Sequence, residues 1–238
     1  MEVTLNFGLN MTQLDEIISE LKSLSTPEHY AKLAHFGIKD DKALGVKMPL
    51  IRQLAKKIGK NHALALELWV TEIHEARILA SFIEMPELMT EKQFDSWVND
   101  FDSWDMCDVC VDLLAKMPYA IRKTDEYSTH SKEFVKRTAF SLMCQFAFYD
   151  KKMTDEMYYP FFEIIEREAW DERNFVKKAV NWALRQIGKR NNALRLKAIE
   201  TAQQIVKQDS KSAHWIASDA LRELNDEKVI DRIINKKK

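Results

Sequence analysis

Trp104 and Asp108 stand four residues apart in the segment Phe101-Asp102-Ser103-Trp104-Asp105-Met106-Cys107-Asp108. With Ser103 or Asp102 as a helix cap, that spacing sets indole and carboxylate one turn apart on a single face. Together they form a cage for a cation, because the ring face attracts positive charge and the carboxylate completes the attraction. The same spacing also describes a core tryptophan beside a surface aspartate. A second aromatic, Trp182, lies inside a run of cations: Arg173, Lys177, Lys178, Arg185, Lys189, Arg190, Arg195 and Lys197 occur with no acid among them. Residues three and four apart share a helix face, so Lys178, Trp182, Arg185 and Lys189 line up, while Val176, Ala179, Ala183 and Ile187 point elsewhere. Unpaired cations along one face release counterions from a phosphate backbone, so this stripe reads as a surface for duplex DNA. A solvated helix face with one stray aromatic is the alternative.

The elements that carry these residues are helices. Apolar residues recur at helical spacing in Leu14, Ile17, Ile18 and Leu21, in Phe134, Val135, Ala139, Leu142 and Phe146, and in Phe175, Val176, Ala179, Ala183 and Ile187. Thr26-Pro27-Glu28 and Thr154-Asp155-Glu156 read as helix starts, and Gly59 and Gly188 fall where helices end or bend. Five glycines and five prolines are too few for the turns of an all-β or α/β chain. Phe134-Val135-Lys136-Arg137-Thr138-Ala139 recurs 41 residues later as Phe175-Val176-Lys177-Lys178-Ala179-Val180, with a weaker echo at Trp215-Ile216-Ala217-Ser218-Asp219-Ala220. That period belongs to HEAT-type helix pairs. The expected fold is therefore all-α: a superhelical solenoid of about six HEAT-like antiparallel helix pairs, forming one domain over residues 1–238 with a concave face. Trp104 and Trp182, 78 residues apart, are close to two periods from each other and are expected on that face. Arg137 occupies the repeat position of Lys178, between them.

Composition narrows the function classes. With 46% hydrophobic and 31% charged residues, the chain has enough apolar material for a core. Its net charge of −1 hides an uneven distribution. Glu84, Glu87, Glu91, Asp95, Asp100, Asp102, Asp105, Asp108 and Asp112 face one base, Lys92, before the basic run takes over. Three cysteines do not make a disulfide framework and point to a cytoplasmic setting, nucleoid-associated if the source is bacterial. Met1 to Asn10 lacks a secretory pattern, and no apolar run is long enough to span a bilayer. Cys107-x-x-Cys110 has metal spacing without a second ligand pair, the histidines form no HExxH or HxH pattern, and there is no Gly-rich phosphate loop or GxSxG. No metal, cofactor or membrane partner is expected, and the chain is expected to act as a monomer.

Taken in order, the Phe101–Asp108 segment, Phe134-Val135-Lys136-Arg137 and the stretch from Phe175 through Trp182 to Arg185 resemble the DNA alkylation repair family of HEAT-like DNA glycosylases. Gly45-Val46-x-Met48-Pro49 with Arg52 resembles that family's N-terminal segment, so the likeness spans nearly the whole chain. The resemblance implies hydrolysis of the N-glycosidic bond of cationic alkylated purines, of the 3-methyladenine and 7-methylguanine type, in duplex DNA and without a deep base-flipping pocket. It places Trp104, Asp108 and Trp182 in catalytic positions, with Arg137 holding a phosphate. Lys136, Arg173, Lys177, Lys178, Arg185, Lys189 and Arg190 are the expected DNA contacts around them. Two departures stand out: extra residues between Tyr149 and Trp170, and the acidic cluster near Asp108. The alternatives are a non-catalytic binder of distorted or branched DNA and a HEAT-repeat scaffold for an acidic protein.

Overall fold

Low glycine and proline content and 3.6-residue periodicity translate directly into helices. The computed structural model describes residues 12–35, 38 and 42–235, and among them there is no strand. Met1 to Asn10 lie outside the described residues. Among the described residues, no helix is long and apolar enough to cross a membrane. Contacts divide the chain into two compact units, one ending at Leu88 and the other beginning at Met89.

The first unit holds α1 (Gln13–Ser23), α2 (Pro27–His35), α3 (Met48–Ile58), α4 (His62–Val70) and α5 (His74–Ile83), closed by a 3-10 turn, Pro86–Leu88. Pro27 opens α2 and Gly59 ends α3 with φ of 77°, as their residue types require. The stretch from Leu44 to Val46 is organised by one buried carboxylate. Glu75 accepts the backbone N–H groups of Leu44 (2.7 Å), Gly45 (2.6 Å) and Val46 (3.1 Å). Gly45 makes this possible with φ of +80°, and a Cβ there would sit 2.7 Å from Tyr30 Cβ and 2.8 Å from its backbone. Gly45→Ala is therefore expected to cost about 1–3 kcal/mol from the left-handed backbone alone, before the clash is counted. Urea unfolding of the full chain checks it, and an unchanged midpoint would contradict the geometry.

The second unit holds α6 (Glu91–Asn99), α7 (Trp104–Leu114), α8 (Ala120–Ser128), α9 (Glu133–Tyr149), α10 (Tyr159–Glu168), α11 (Asn174–Gly188), α12 (Asn192–Ile205), α13 (Lys211–Leu224) and α14 (Glu227–Ile234). A 3-10 turn, Asp155–Tyr158, precedes α10, so Thr154 caps a tight turn rather than the α-helix itself. Short connections make α8 with α9, α10 with α11, and α12 with α13 into hairpins. Second helices stack on second helices, α7 on α9, α9 on α11 and α11 on α13, while α8 packs on α10 and α10 on α12. This layering is what a repeat of about 41 residues predicts. Gly188 permits the close approach of α12 and α13, since a Cβ there would lie 2.9 Å from Ala198 Cβ and 3.0 Å from Leu224 Cδ2.

Helix α9 is the centre of this unit. Every residue from Val135 to Cys144 is buried, because α7, α8 and α11 all pack against it. A helix covered on so many sides must bury its polar residues as well as its apolar ones. Each buried charge then needs a partner.

Candidate nucleic-acid interface

Ser103 is the N-cap of α7, but its hydroxyl makes no capping bond and is buried without a hydrogen-bond partner. The helix it starts presents Asp108 toward α9. There the Arg137 guanidinium grips the carboxylate through two atoms, Nε to Oδ1 at 3.2 Å and Nη2 to Oδ2 at 2.7 Å. Ser141, one turn further along α9, donates its hydroxyl to Oδ1 at 2.9 Å. Arg137 also donates from Nη1 to the Phe175 carbonyl of α11 at 2.8 Å, tying three helices together. The arginine is 6% exposed, whereas the Asp108 side chain keeps 21% of its surface open. Arg137 is thus a positioning group for the carboxylate, and the reading of it as a free phosphate grip needs this correction.

Lys136 is further from solvent still, at 2% exposure. Its ammonium meets Glu168 at 2.7 Å and Asp171 at 2.9 Å and lies 5.0 Å from the Trp170 ring centre. Expected as a DNA contact, it serves instead to neutralise two buried acids. Arg173 shares that network, pairing with Asp171 (2.6 Å) and donating to the Ser131 carbonyl (2.5 Å).

The stripe on α11 forms as its spacing predicts. Val176, Ala179, Ala183 and Ile187 are buried, and Lys178, Trp182, Arg185 and Lys189 lie off the core. The absence of acid, however, is only local. Glu223 of α13 binds both Arg185 and Lys189, the latter at 2.6 Å, and Asp219 lies 3.4 Å from Arg185. Burial works to raise the Glu223 carboxyl, but Lys189 and Arg185 outweigh it and hold the group below its usual range. Arg190 caps the end of α9 through the carbonyls of Phe146 (3.3 Å) and Ala147 (2.8 Å) and covers the Tyr158 ring. Lys177 covers Trp215 at 5.3 Å. Lys178 is exposed and has no ion pair among the described residues. The acidic stretch is offset in the same way, since Glu91 and Asp95 bind Lys123 at 2.9 and 2.8 Å.

Trp104 is half-buried on the turn before Asp108. Trp182, also half-buried, meets α9 at Phe148, with ring centres 6.0 Å apart, which is eleven residues beyond Arg137. With the Gln186 amide turned to present its oxygen, that oxygen accepts the Trp182 indole N–H at 3.2 Å. Asp108 and Arg137 are therefore joined directly, and Trp182 reaches the same helix through Phe148. Cys107, Cys110 and Cys144 are free and buried, and burial pushes the Cys107 and Cys144 thiols well up.

The family described as DNA alkylation repair enzyme matches the chain over residues 17–224. The chain belongs to this family. A solved structure described as a new family of proteins related to the HEAT-like repeat DNA glycosylases with affinity for branched DNA structures shares its fold. The TM-score is 0.74 at 22% identity, covering 89% of this chain and 95% of the other. No curated protein matches.

In this DNA alkylation repair family member, the residues that sequence reasoning overlooked are Ser141, Asp219 and Glu223. The signal for two of them was present. Arg185 to Glu223 and Asn181 to Asp219 are each 38 residues, about one helical turn short of the 41-residue repeat, and both pairs are bonded. Ser141 carried no signal, because a serine in an apolar helix is usually satisfied by its own backbone.

Proposed function

We propose that this chain is a DNA glycosylase that releases cationic alkylated purines from duplex DNA, as a monomer and without a cofactor. The observation that carries the reading is the fixed Asp108 carboxylate, held by Arg137 and Ser141 with 21% of its side chain exposed, one helical turn after Trp104. An N-alkylated purine is already a good leaving group, so no general acid is required. When the bond from C1′ to the base nitrogen breaks, its electron pair leaves with the base and neutralises the base's charge. Positive charge then builds on the sugar, where a carboxylate that needs no reorganisation stabilises it. Water adds to C1′ and releases a proton to solvent. Trp104 and Trp182 offer ring faces to the electron-poor sugar.

Incubating a 7-methylguanine duplex with the wild-type chain and following free base tests this proposal. Release supports it. A second reading, binding of branched DNA without chemistry, is favoured by the Arg137 pairing, which offsets the charge of Asp108. It predicts tight binding of the same duplex or of a junction with no base released.

Both readings need phosphate contacts, and α11 offers a test of where they are. Glu223→Gln removes the anion that Arg185 and Lys189 share. If the stripe faces DNA, the plot of log affinity against log salt should steepen by about 1 to 2, one step for each cation freed. An unchanged slope in an anisotropy titration would place the DNA elsewhere.

A further inference from the structure

The groove between α7 and α9 continues past the Asp108 site. From Asp108, four-residue steps lead to Asp112 on α7 and to Lys116 in the turn just past its C-cap; along α9, Arg137 is followed by Ser141, Gln145 and Tyr149. The first rung is Ser141 on Asp108, and the second is the Gln145 amide on Asp112. At the third level the groove opens into a cavity of about 530 Å³ lined by Lys116, Tyr149, Lys151 and Lys152. Eight residues of helix place this opening about 12 Å from Asp108.

Its chemistry differs from the rest of the surface. Tyr149 is 71% exposed and Phe148 50% exposed, an unusual cost for aromatic rings at the end of a buried helix. Their centres are 5.9 Å apart, and Phe148 in turn touches Trp182 at 6.0 Å, so three rings form a chain from the basic helix to the cavity. Unlike Arg185 and Lys189, the ammonium groups of Lys116, Lys151 and Lys152 have no ion pair among the described residues. The two acids of the cavity are engaged by donors: Asp112 by Gln145, and Asp150 by the backbone N–H groups of Lys152 (2.7 Å) and Met153 (3.2 Å). Open aromatic faces beside unpaired cations suit an unstacked base and its phosphates, because every base has a face to stack and every phosphate a charge. A base stacked inside a duplex has no free face to offer.

We propose that this cavity is a second nucleic-acid site, which takes an unpaired nucleotide of a flap or junction by stacking its base on Tyr149 and holding its phosphates with Lys116, Lys151 and Lys152. The inference rests on the reading that the chain binds DNA. It adds a preference for an unpaired strand beside the duplex held near Asp108.

The test compares an intact duplex with a flapped duplex of the same sequence, carrying 2-aminopurine at the first unpaired position. Wild-type protein should bind the flap more tightly and quench the 2-aminopurine. Tyr149→Ala, at an exposed position that leaves the core intact, should lose about tenfold in flap affinity. It should also lose the quench, while intact-duplex affinity stays within about twofold. Tyr149→Phe should restore both signals, and the Lys151→Ala/Lys152→Ala double variant should flatten the salt dependence for the flap only. Equal losses on flap and duplex, or quenching that survives Tyr149→Ala, would overturn this inference and leave the broader DNA reading standing. Failure to bind either DNA at low salt would sink both.

Discussion

Base release from a 7-methylguanine duplex is expected to fall by about 100-fold or more in Asp108→Asn, the size of effect seen when one preorganised electrostatic group is removed from a transition state. Asparagine keeps the shape of the side chain and one oxygen for Arg137, so what is lost is charge. The change also releases Arg137 from its anionic partner, which sits 2.7 Å away in the wild type. Affinity for undamaged duplex should therefore hold or rise while base release falls. That opposition separates a catalytic effect from weakened binding. Because Arg137 is buried, the variant's melting curve must accompany the rates. Ser141→Ala offers a gentler probe: it removes only the hydroxyl that aims Oδ1, and should lower kcat several-fold with KM little changed. Wild-type rates in a folded Asp108→Asn would remove the carboxylate from the mechanism.

The sequence carried the face of each helix well and the company of each helix poorly. On α11 the split between Val176, Ala179, Ala183 and Ile187 and the cationic side was legible because Lys178, Trp182, Arg185 and Lys189 stay off the core, although α9, α12 and α13 all pack on that helix. On α9 the repeat alignment and the family resemblance put Lys136 and Arg137 on the DNA face, whereas both are buried and ion-paired. Periodicity reports which residues share a face but not how many neighbours cover the helix, and α9 is enclosed by α7, α8 and α11. The acid-free run failed for a related reason. Local charge counts extend along the chain, whereas Glu223 reaches Arg185 from one repeat away. The 41-residue displacement that aligned Arg137 with Lys178 carries Arg185 to Asp226, so it points to the next unit but lands about one turn past Glu223. Tyr149 and Phe148 left no periodic signature, since they end a helix and face outward.

Lys136 supplies the sharpest test of how this interior is held. Its ammonium bridges Glu168 and Asp171, whose side chains are as buried as its own. Lys136→Met keeps the aliphatic stem and leaves two carboxylates in the core with only Arg167 and Arg173 to offset them. Breaking a buried pair in this way is expected to cost about 3–5 kcal/mol at neutral pH. Acid should shrink the difference. Burial works to raise the Asp171 carboxyl, but hydrogen bonds from Arg173 and Lys136 overcome it and hold the pKa down at about 2. A depressed carboxylate contributes stability above its unfolded value, near 4, that is lost as pH falls toward 2. Wild type should therefore lose more stability than Lys136→Met across that window, and the urea midpoints of the two proteins should lie closer together at pH 3 than at pH 7. Adding Glu168→Gln to Lys136→Met should recover part of the loss at pH 7 by removing one uncompensated charge. The same variant separates the two roles assigned to this lysine. A phosphate contact would lower the salt slope for duplex binding by about 1 when removed. A lysine spent on Glu168 and Asp171 predicts a less stable protein whose salt slope does not move.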